Sequence, residues 1–372
     1  MINVLVTGAK GFIGKNLVTA LKRRDDVILK TICHNDSFEM LESTIIDADV
    51  VYHLAGVNRP KSFEEYNVEN IDFTLKILDH LNRHHLTPKI IFPSSIQVNL
   101  DNPYGNSKKK VEEALLNYAK DNNASVAIYR LPNVFGKWSK PNYNTVVATF
   151  CYNIARDLDV VLSDPCRELG FVYIDDVVTA FMRHLDQEYG LGQQWYNVDR
   201  VFRITLGDLA ERIKRLHTAR MSLEMPDLAD ELMRRLHATY SSFLPENEFA
   251  YPVDLKVDVR GMLFELIKSS NFGQIFVSKT MPGVTRGNHY HDSKVEKFCV
   301  IHGMAIIRMR HLHSETILEY PVTGNEIKVV DIPPGYTHSI ENVGETELIC
   351  LFWANQIFSP ELPDTYWEQV QI

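Results

Sequence analysis

Apolar runs and helical stripes alternate through the first third of the chain. The runs are Val4–Val6, Val27–Thr31, Val50–Leu54, Ile90–Phe92 and Val126–Tyr129. Each is short, rich in branched residues and followed by a helix-period segment. That alternation predicts βαβ units and a doubly wound parallel sheet. Asn67 to Asn82 carries Val68, Ile71, Leu75, Leu78 and Leu81, which predicts one amphipathic helix with a single buried stripe. Asn142 to Arg183 is mixed, and shorter helices are expected over Gly207–Arg215 and Asp227–Leu236. Beyond Tyr251 the period falls to two, as in Gln274–Lys279, Lys297–Ile301, Ala305–Arg310 and Leu348–Trp353. Short alternating runs with turn residues between them predict an all-β barrel or sandwich. The break near Ser241–Asn247 sets the expected domains at 1–243 and 244–372.

The first strand leads directly into Gly8-Ala9-Lys10-Gly11-Phe12-Ile13-Gly14, and a helical pattern follows. A glycine turn between strand and helix lets backbone N–H groups approach a pyrophosphate, and the helix dipole favours the anion. His53-Leu54-Ala55-Gly56 ends the third run, where backbone can pass close to a cofactor ribose. Pro93-Ser94-Ser95 ends the fourth, and Tyr104-Gly105-Asn106-Ser107-Lys108 opens the next helix. Tyr104 and Lys108 are four apart and share a helix face. A tyrosine near pKa ~10 is a poor acid–base group at neutral pH, and a neighbouring ammonium lowers it. Such a pair arises about once by chance in a chain of this size, so its order behind the glycine loop carries the weight.

These motifs resemble the extended short-chain dehydrogenase/reductases, the class that acts on nucleotide sugars. Leu131-Pro132-Asn133-Val134-Phe135-Gly136 and Phe171-Val172-Tyr173-Ile174-Asp175-Asp176-Val177 strengthen the resemblance. It implies Tyr104, Lys108 and Ser95 as the catalytic set, with Ser95 rather than Ser94 in the serine role. It implies a cofactor held by Gly8, Gly11, Phe12, Ile13, Gly14, His34, Leu54, Ala55, Gly56 and Asn133 together with Tyr104 and Lys108. Arg167 lies where the family often meets substrate phosphate, in a loop that varies widely. NAD-selective members end the second strand with a carboxylate. Here the strand ends Ile32-Cys33-His34-Asn35, with Asp36 beyond, so NADP(H) is the expected cofactor.

The C-terminal part holds Gly283-x5-His289-x-His291-x4-Glu296-x6-Gly303, then Pro333-Pro334-Gly335-x2-His338-x3-Asn342. Residues two apart on a strand share a face, so His289 and His291 point together. Three imidazoles and a carboxylate suit a first-row divalent ion, zinc best for chemistry without redox. The double pattern resembles the metal cupins, with His289, His291, Glu296 and His338 as implied ligands. It departs from them at Ile327, where a glycine usually opens the second motif; Gly324 stands three residues earlier. A metal-free cupin with packed histidines is the alternative. His302 and Tyr290 are candidates for a general base.

The 372 residues carry a net charge of −9 and no basic tract, which speaks against nucleic acid. Five scattered cysteines without C-x-x-C fit a reducing cytoplasm. Ile2 already belongs to the first strand, so no signal peptide is expected, and no uncharged run reaches membrane-spanning length. A reductase followed by a cupin resembles a bifunctional class of capsular polysaccharide enzymes. That resemblance implies a UDP-linked 4-keto-6-deoxy amino sugar as substrate. C3 would be epimerised at the cupin, and the ketone reduced with NADPH to UDP-2-acetamido-2,6-dideoxy-L-talose, towards UDP-N-acetyl-L-fucosamine. It also implies a homodimer. The other readings are a one-site reductase whose cupin binds sugar or dimerises, a dioxygenase cupin fused to a reductase, and a redox-sensing regulator.

Overall fold

The computed structural model describes residues 1–34, 36–60, 62, 64–187 and 194–371. By contact the chain forms two compact units. One comprises Met1–Ile213 with Arg235–Pro245, the other Lys214–Arg234 with Glu246–Ile372. Residues 214–234 thus fall with the second unit. Within that unit Met225 N–H donates to Lys268 O at 2.7 Å and Lys268 N–H to Leu223 O at 2.8 Å.

In the first unit all five apolar runs are strands: β1 (Ile2–Thr7), β2 (Val27–Ile32), β3 (Val50–His53), β4 (Lys89–Ser95) and β5 (Val126–Leu131). They pair in parallel in the order β2-β1-β3-β4-β5, with the short strand Trp195–Tyr196 beyond β5. Both faces are covered. Val4, Val6, Tyr52 and Ile91 enter one core, while Leu5, Val51, Ile90 and Phe92 enter the other. Burial on two faces explains why these strands read as continuous apolar runs. The order reverses between β1 and β3, the place where such sheets open a crevice at their carboxyl ends.

The turn from β1 to the helix α1 (Phe12–Leu21) begins at Gly8, with φ +67°. A Cβ there would stand 2.7 Å from Ala55 N, so the glycine lets the turn press against the end of β3. Gly8→Ala should lower the unfolding free energy by about 1–3 kcal/mol, read from urea denaturation of the whole chain.

The expected Asn67–Asn82 helix is interrupted. Asn67–Asp72 is π-helical, and the α-helix proper runs Phe73–Arg83. Asn70, Thr74, Ile77, Leu78 and Leu81 are buried, while Val68 and Leu75 are nearly half exposed. Leu75 lies in the regular α-helix with Leu78 and Leu81, so the buried face runs through the polar Asn70 and Thr74 and not along the all-apolar stripe expected. The mixed segment after residue 142 holds helices Val146–Ile154 and Ile174–Asp186. A three-stranded sheet there joins Asn133–Phe135, Glu168–Tyr173 and Phe202–Thr205. The two later helices run longer or further on than expected, as Leu206–Ser222 and Glu231–Ser241.

The second unit has two antiparallel sheets. The six-stranded one contains Gly261–Ser269, Gly273–Thr280, Leu348–Ala354 and Glu296–His302. The five-stranded one contains Met304–His311, Tyr336–Asn342 and Thr285–Tyr290. Phe298, Val300, Cys350 and Phe352 from the first share a core with Ala305, Ile307, Met309 and Ile340 from the second. All five cysteines are free thiols, with Cys350 buried and Cys299 partly so. Among the described residues no helix is long and apolar enough to cross a membrane.

Candidate active site and metal centre

Tyr104 and Lys108 lie on the helix Pro103–Asn122. Asn102 caps it by accepting the Gly105 N–H at 2.8 Å, and Pro103 opens it. Gly105 is required here, since a Cβ would stand 2.1 Å from Gln97 O in the turn after β4. That close approach seats the first helical turn, with Tyr104, beside the end of β4.

The Lys108 ammonium is buried. Its Nζ donates to Pro93 O at 3.1 Å and sits 4.4 Å above the Phe92 ring. It also borders Gly56, whose added Cβ would lie 4.0 Å from Nζ. Burial pulls Lys108 down to about 8, against the pull of Glu112. Burial pushes the Tyr104 phenol up to about 12, with Tyr66 adding to the rise from a ring 6.1 Å away. The lowering expected from the lysine spacing does not appear: burial and Tyr66 set the shift. Protein in this state keeps Tyr104 protonated, the form that can give up a proton.

The buried lysine has a thermodynamic signature. Unfolded lysine titrates near 10.4, so between pH 8 and 10.4 the unfolded chain binds more protons, and stability rises with pH across that window. Lys108→Met should remove that rise, as seen in melting temperatures taken at each pH.

The two serines after β4 part ways. Ser94 Oγ donates to Glu112 Oε1 at 2.5 Å, and Arg130 grips the same carboxylate through two nitrogens at 3.0 and 2.7 Å. Ser95 Oγ accepts the Gln97 N–H at 3.2 Å, which leaves its own O–H to donate elsewhere. Ser95 thus has the spare hydroxyl.

One network was not read from the sequence. The Ala55 N–H donates to Thr7 Oγ1, Thr7 Oγ1 meets His53 Nδ1 at 3.0 Å, and His53 Nε2 meets Thr74 Oγ1 at 2.9 Å. Thr74 Oγ1 donates to Asn70 O, so it accepts from His53 Nε2–H, and Nδ1 must accept from Thr7. Burial and the Lys108 charge hold His53 neutral, near 3. Asn70 in turn binds both Val57 N–H and Ser107 Oγ. The chain of bonds ties the glycine turn to the Leu54–Gly56 backbone and to the Lys108 helix.

α1 starts at Gly11 with no side-chain cap, which leaves Phe12 and Ile13 amides at a helix N-terminus as donors for a pyrophosphate. With the buried ammonium beside Gly56, this donor set fits a nicotinamide dinucleotide. Asn133 Nδ2 donates to Gly170 O at 3.1 Å, and the Arg167 side chain is exposed. His34 is largely exposed, its Nδ1 3.5 Å from Glu69 Oε2. Asn35 lies outside the described residues. Asp36 does not simply lie beyond the strand. Its Oδ2 turns back to accept the Cys33 N–H at 2.7 Å, which puts a carboxylate at the end of β2.

In the second unit the four expected ligands converge. One ligand atom from each of His289, His291, Glu296 and His338 lies within 4.8 Å of the others. His289 and His338 are register partners in the five-stranded sheet, whereas Glu296 comes from the six-stranded one. His291 Nδ1 lies 2.5 Å from Asp364 O and His338 Nδ1 3.3 Å from Tyr336 O. A carbonyl only accepts, so both Nδ1 atoms carry hydrogen and both Nε2 atoms present lone pairs. Those two Nε2 atoms are buried without a hydrogen-bond partner, and each faces Glu296 Oε2 at 3.4 Å. Lone pairs converging on a buried carboxylate repel unless a cation lies among them. The donor set fits a divalent metal. Burial and the two neighbouring imidazoles push His289 down to about 4.

Neither suggested base faces this cluster. Tyr290 alternates to the other face of its strand and packs on Tyr366, 5.2 Å between rings. His302 is exposed at the far end of Glu296–His302.

This fold and these motifs place the chain: residues 4–199 match the NAD dependent epimerase/dehydratase family, to which it belongs, and 256–366 match the polysaccharide biosynthesis C-terminal domain. It is 40% identical over 365 residues to the UDP-2-acetamido-2,6-beta-L-arabino-hexul-4-ose reductase of Pseudomonas aeruginosa, covering 98% of both chains. It is similar to the capsular polysaccharide assembling protein CapF of Staphylococcus aureus. That match has a TM-score of 0.93 at 42% identity and covers 99% of this chain and all of that one. UDP-glucuronic acid 4-epimerase of Bacillus cereus, solved with NAD, shares the first unit's fold. Its TM-score is 0.55 at 20% identity, over 65% of this chain and 98% of that one.

Proposed function

We propose that the protein is a two-site nucleotide-sugar enzyme. The C-terminal site inverts C3 of a UDP-2-acetamido-2,6-dideoxy-4-hexulose. The N-terminal site then reduces the C4 ketone to UDP-2-acetamido-2,6-dideoxy-L-talose, on the way to UDP-N-acetyl-L-fucosamine for capsular polysaccharide. The working division is 1–243 and 244–372, with the facing antiparallel sheets read as a cupin barrel, in a cytoplasmic homodimer. The observation that carries the proposal is the pair of orphaned imidazole nitrogens facing Glu296, in a chain that also carries a buried Tyr/Lys helix.

Chemistry sets the order. A C3 proton is acidic only while C4 is a ketone, so inversion precedes reduction. A divalent cation, zinc on this donor set, supplies positive charge that polarises a substrate carbonyl. His289, His291, Glu296 and His338 would hold it, and the carbonyls of Asp364 and Tyr336 keep two imidazoles in the binding tautomer. In the reductase, reduced nicotinamide supplies hydride. The Gly8–Gly14 turn and α1 hold the dinucleotide pyrophosphate. Leu54, Ala55, Gly56 and Asn133 would line the nicotinamide end. Ser95 orients the ketone oxygen, Tyr104 protonates it as charge develops, and Lys108 stabilises the phenolate left behind.

We assign NADPH, whose 2′-phosphate the exposed His34 at the end of β2 would meet. The Asp36 carboxylate at the end of β2 favours a second reading, NADH bound through its ribose hydroxyl. Michaelis constants decide: a lower value for NADPH supports the first, a lower value for NADH the second. The reductase function itself is tested by incubating the chain with the UDP-linked 4-ketone and a reduced nicotinamide. One cofactor oxidised per 4-hydroxyl sugar formed supports it; no oxidation with either cofactor overturns it.

A further inference from the structure

We propose that Asp364 is the positioning residue of the His/His/Glu/His centre, a clamp that fixes both the tautomer of His291 and the spacing between His291 and Glu296. The inference rests on the reading of that centre as a metal site. His291 and Glu296 are joined by four residues, Asp292 to Val295; His291 directly follows a strand of the five-stranded sheet and Glu296 opens one of the six-stranded sheet. The connection must hold its shape if the two ligand atoms are to stay within reach of one ion.

Asp364 meets nearly all of it. Its Oδ1 accepts the Asp292 N–H at 2.9 Å. Its Oδ2 accepts Ser293 N–H at 3.1 Å, Lys294 N–H at 2.8 Å and the Ser293 hydroxyl at 2.8 Å. The remaining amide, Val295 N–H, goes to Asn355 Oδ1 at 3.0 Å. Every amide between the two ligands is therefore held by a side chain from elsewhere, three of the four by Asp364. The main-chain oxygen of the same residue takes the His291 Nδ1–H. One residue thus orients a ligand ring and ties down the turn that follows it.

The flanks of Asp364 are anchored as well. Lys294 is 5% exposed, and its Nζ donates to Pro363 O at 2.9 Å and reaches Thr365 Oγ1 at 3.4 Å. Asp364 itself sits at φ +39°, in the left-handed region that costs a non-glycine residue energy. Its dense set of acceptor contacts holds it there. Burial opposes the carboxylate charge, but the backbone N–H groups of Asp292, Ser293 and Lys294 and the Ser293 hydroxyl keep it ionised, down to about 2.

The test uses zinc(II) alone, titrated into the full metal-stripped chain against a chromophoric chelator, with melting curves of stripped and zinc-loaded protein. Asp364→Asn keeps the shape and tolerates the backbone angle, but turns an acceptor oxygen into a donor facing N–H groups. Asp364→Gly frees the backbone and deletes the acceptors. Both should weaken zinc binding by about 10- to 100-fold. Both should lower the melting temperature of the zinc-loaded form more than that of the stripped form. Glu361→Gln, in the same segment, should bind as wild type. Zinc affinity within twofold of wild type overturns the proposal, as do equal losses of melting temperature in both forms. Loss of folding in both variants also overturns it, since Asp364 would then be structural. A wild-type chain that takes up no zinc overturns the metal reading itself, which is a different result from variants that bind as well as wild type.

Discussion

Tyr104→Phe loses ketone reduction by about 10²- to 10⁴-fold, the contribution typical of a positioned proton donor, with little change in cofactor affinity. In the proposed mechanism the phenol gives a proton to the C4 oxygen as hydride arrives, and phenylalanine cannot. Burial holds the phenol at about 12, so the wild-type residue is protonated throughout the neutral range and serves as the acid in that direction. The ring still packs beside Tyr66, so the substitution leaves the local structure in place. Single-turnover oxidation of NADPH in the presence of the 4-ketone measures the effect. An unchanged rate would move the proton donor to another group, with Ser95 next to be tested.

His338→Ala abolishes tight divalent-ion binding and, with it, proton exchange at C3, while cofactor binding by the first unit persists. His338 is fully buried, and its Nε2 is one of the two orphaned imidazole nitrogens in the cluster. Its removal leaves three ligands and opens a space inside the sheets. Metal content by elemental analysis and NADPH binding by fluorescence separate the two losses. Retained metal would show that His289, His291 and Glu296 suffice. Loss of both metal and cofactor binding would show that the two activities do not depend on separate sites.

The sequence revealed most where one rule governs many residues. The five strands of the first sheet are short branched runs buried on both faces, and such runs carry their own signature. Of the cluster residues, His289 and His291 were legible from strand alternation, and Glu296 and His338 from the resemblance to the two cupin motifs. Local geometry that breaks a period was hidden. The buried face of the Asn67–Arg83 segment takes in the polar Asn70 and Thr74 and leaves Val68 and Leu75 nearly half exposed, which an apolar stripe does not show. Asp36 reads as a residue past a strand until its carboxylate is seen folding back on Cys33. Contacts distant in sequence were hidden too. Asp364 lies 73 residues from His291, and no short motif announces the bond. The Thr7–His53–Thr74 chain likewise joins three segments that periodicity treats separately. The helix patterns after residue 206 were visible, but a pattern does not say which core a helix joins, and residues 214–234 fall with the second unit.

The central claim is that C3 is processed at a metal centre of its own before hydride transfer. Incubating the chain with the UDP-linked 4-ketone in deuterated water, without any nicotinamide cofactor, tests it most directly. The account predicts deuterium at C3 at full rate in wild type and in Tyr104→Phe, and none in His338→Ala. Wild-type protein that holds its metal yet leaves C3 unlabelled would contradict it, and would reduce the chain to a one-site reductase.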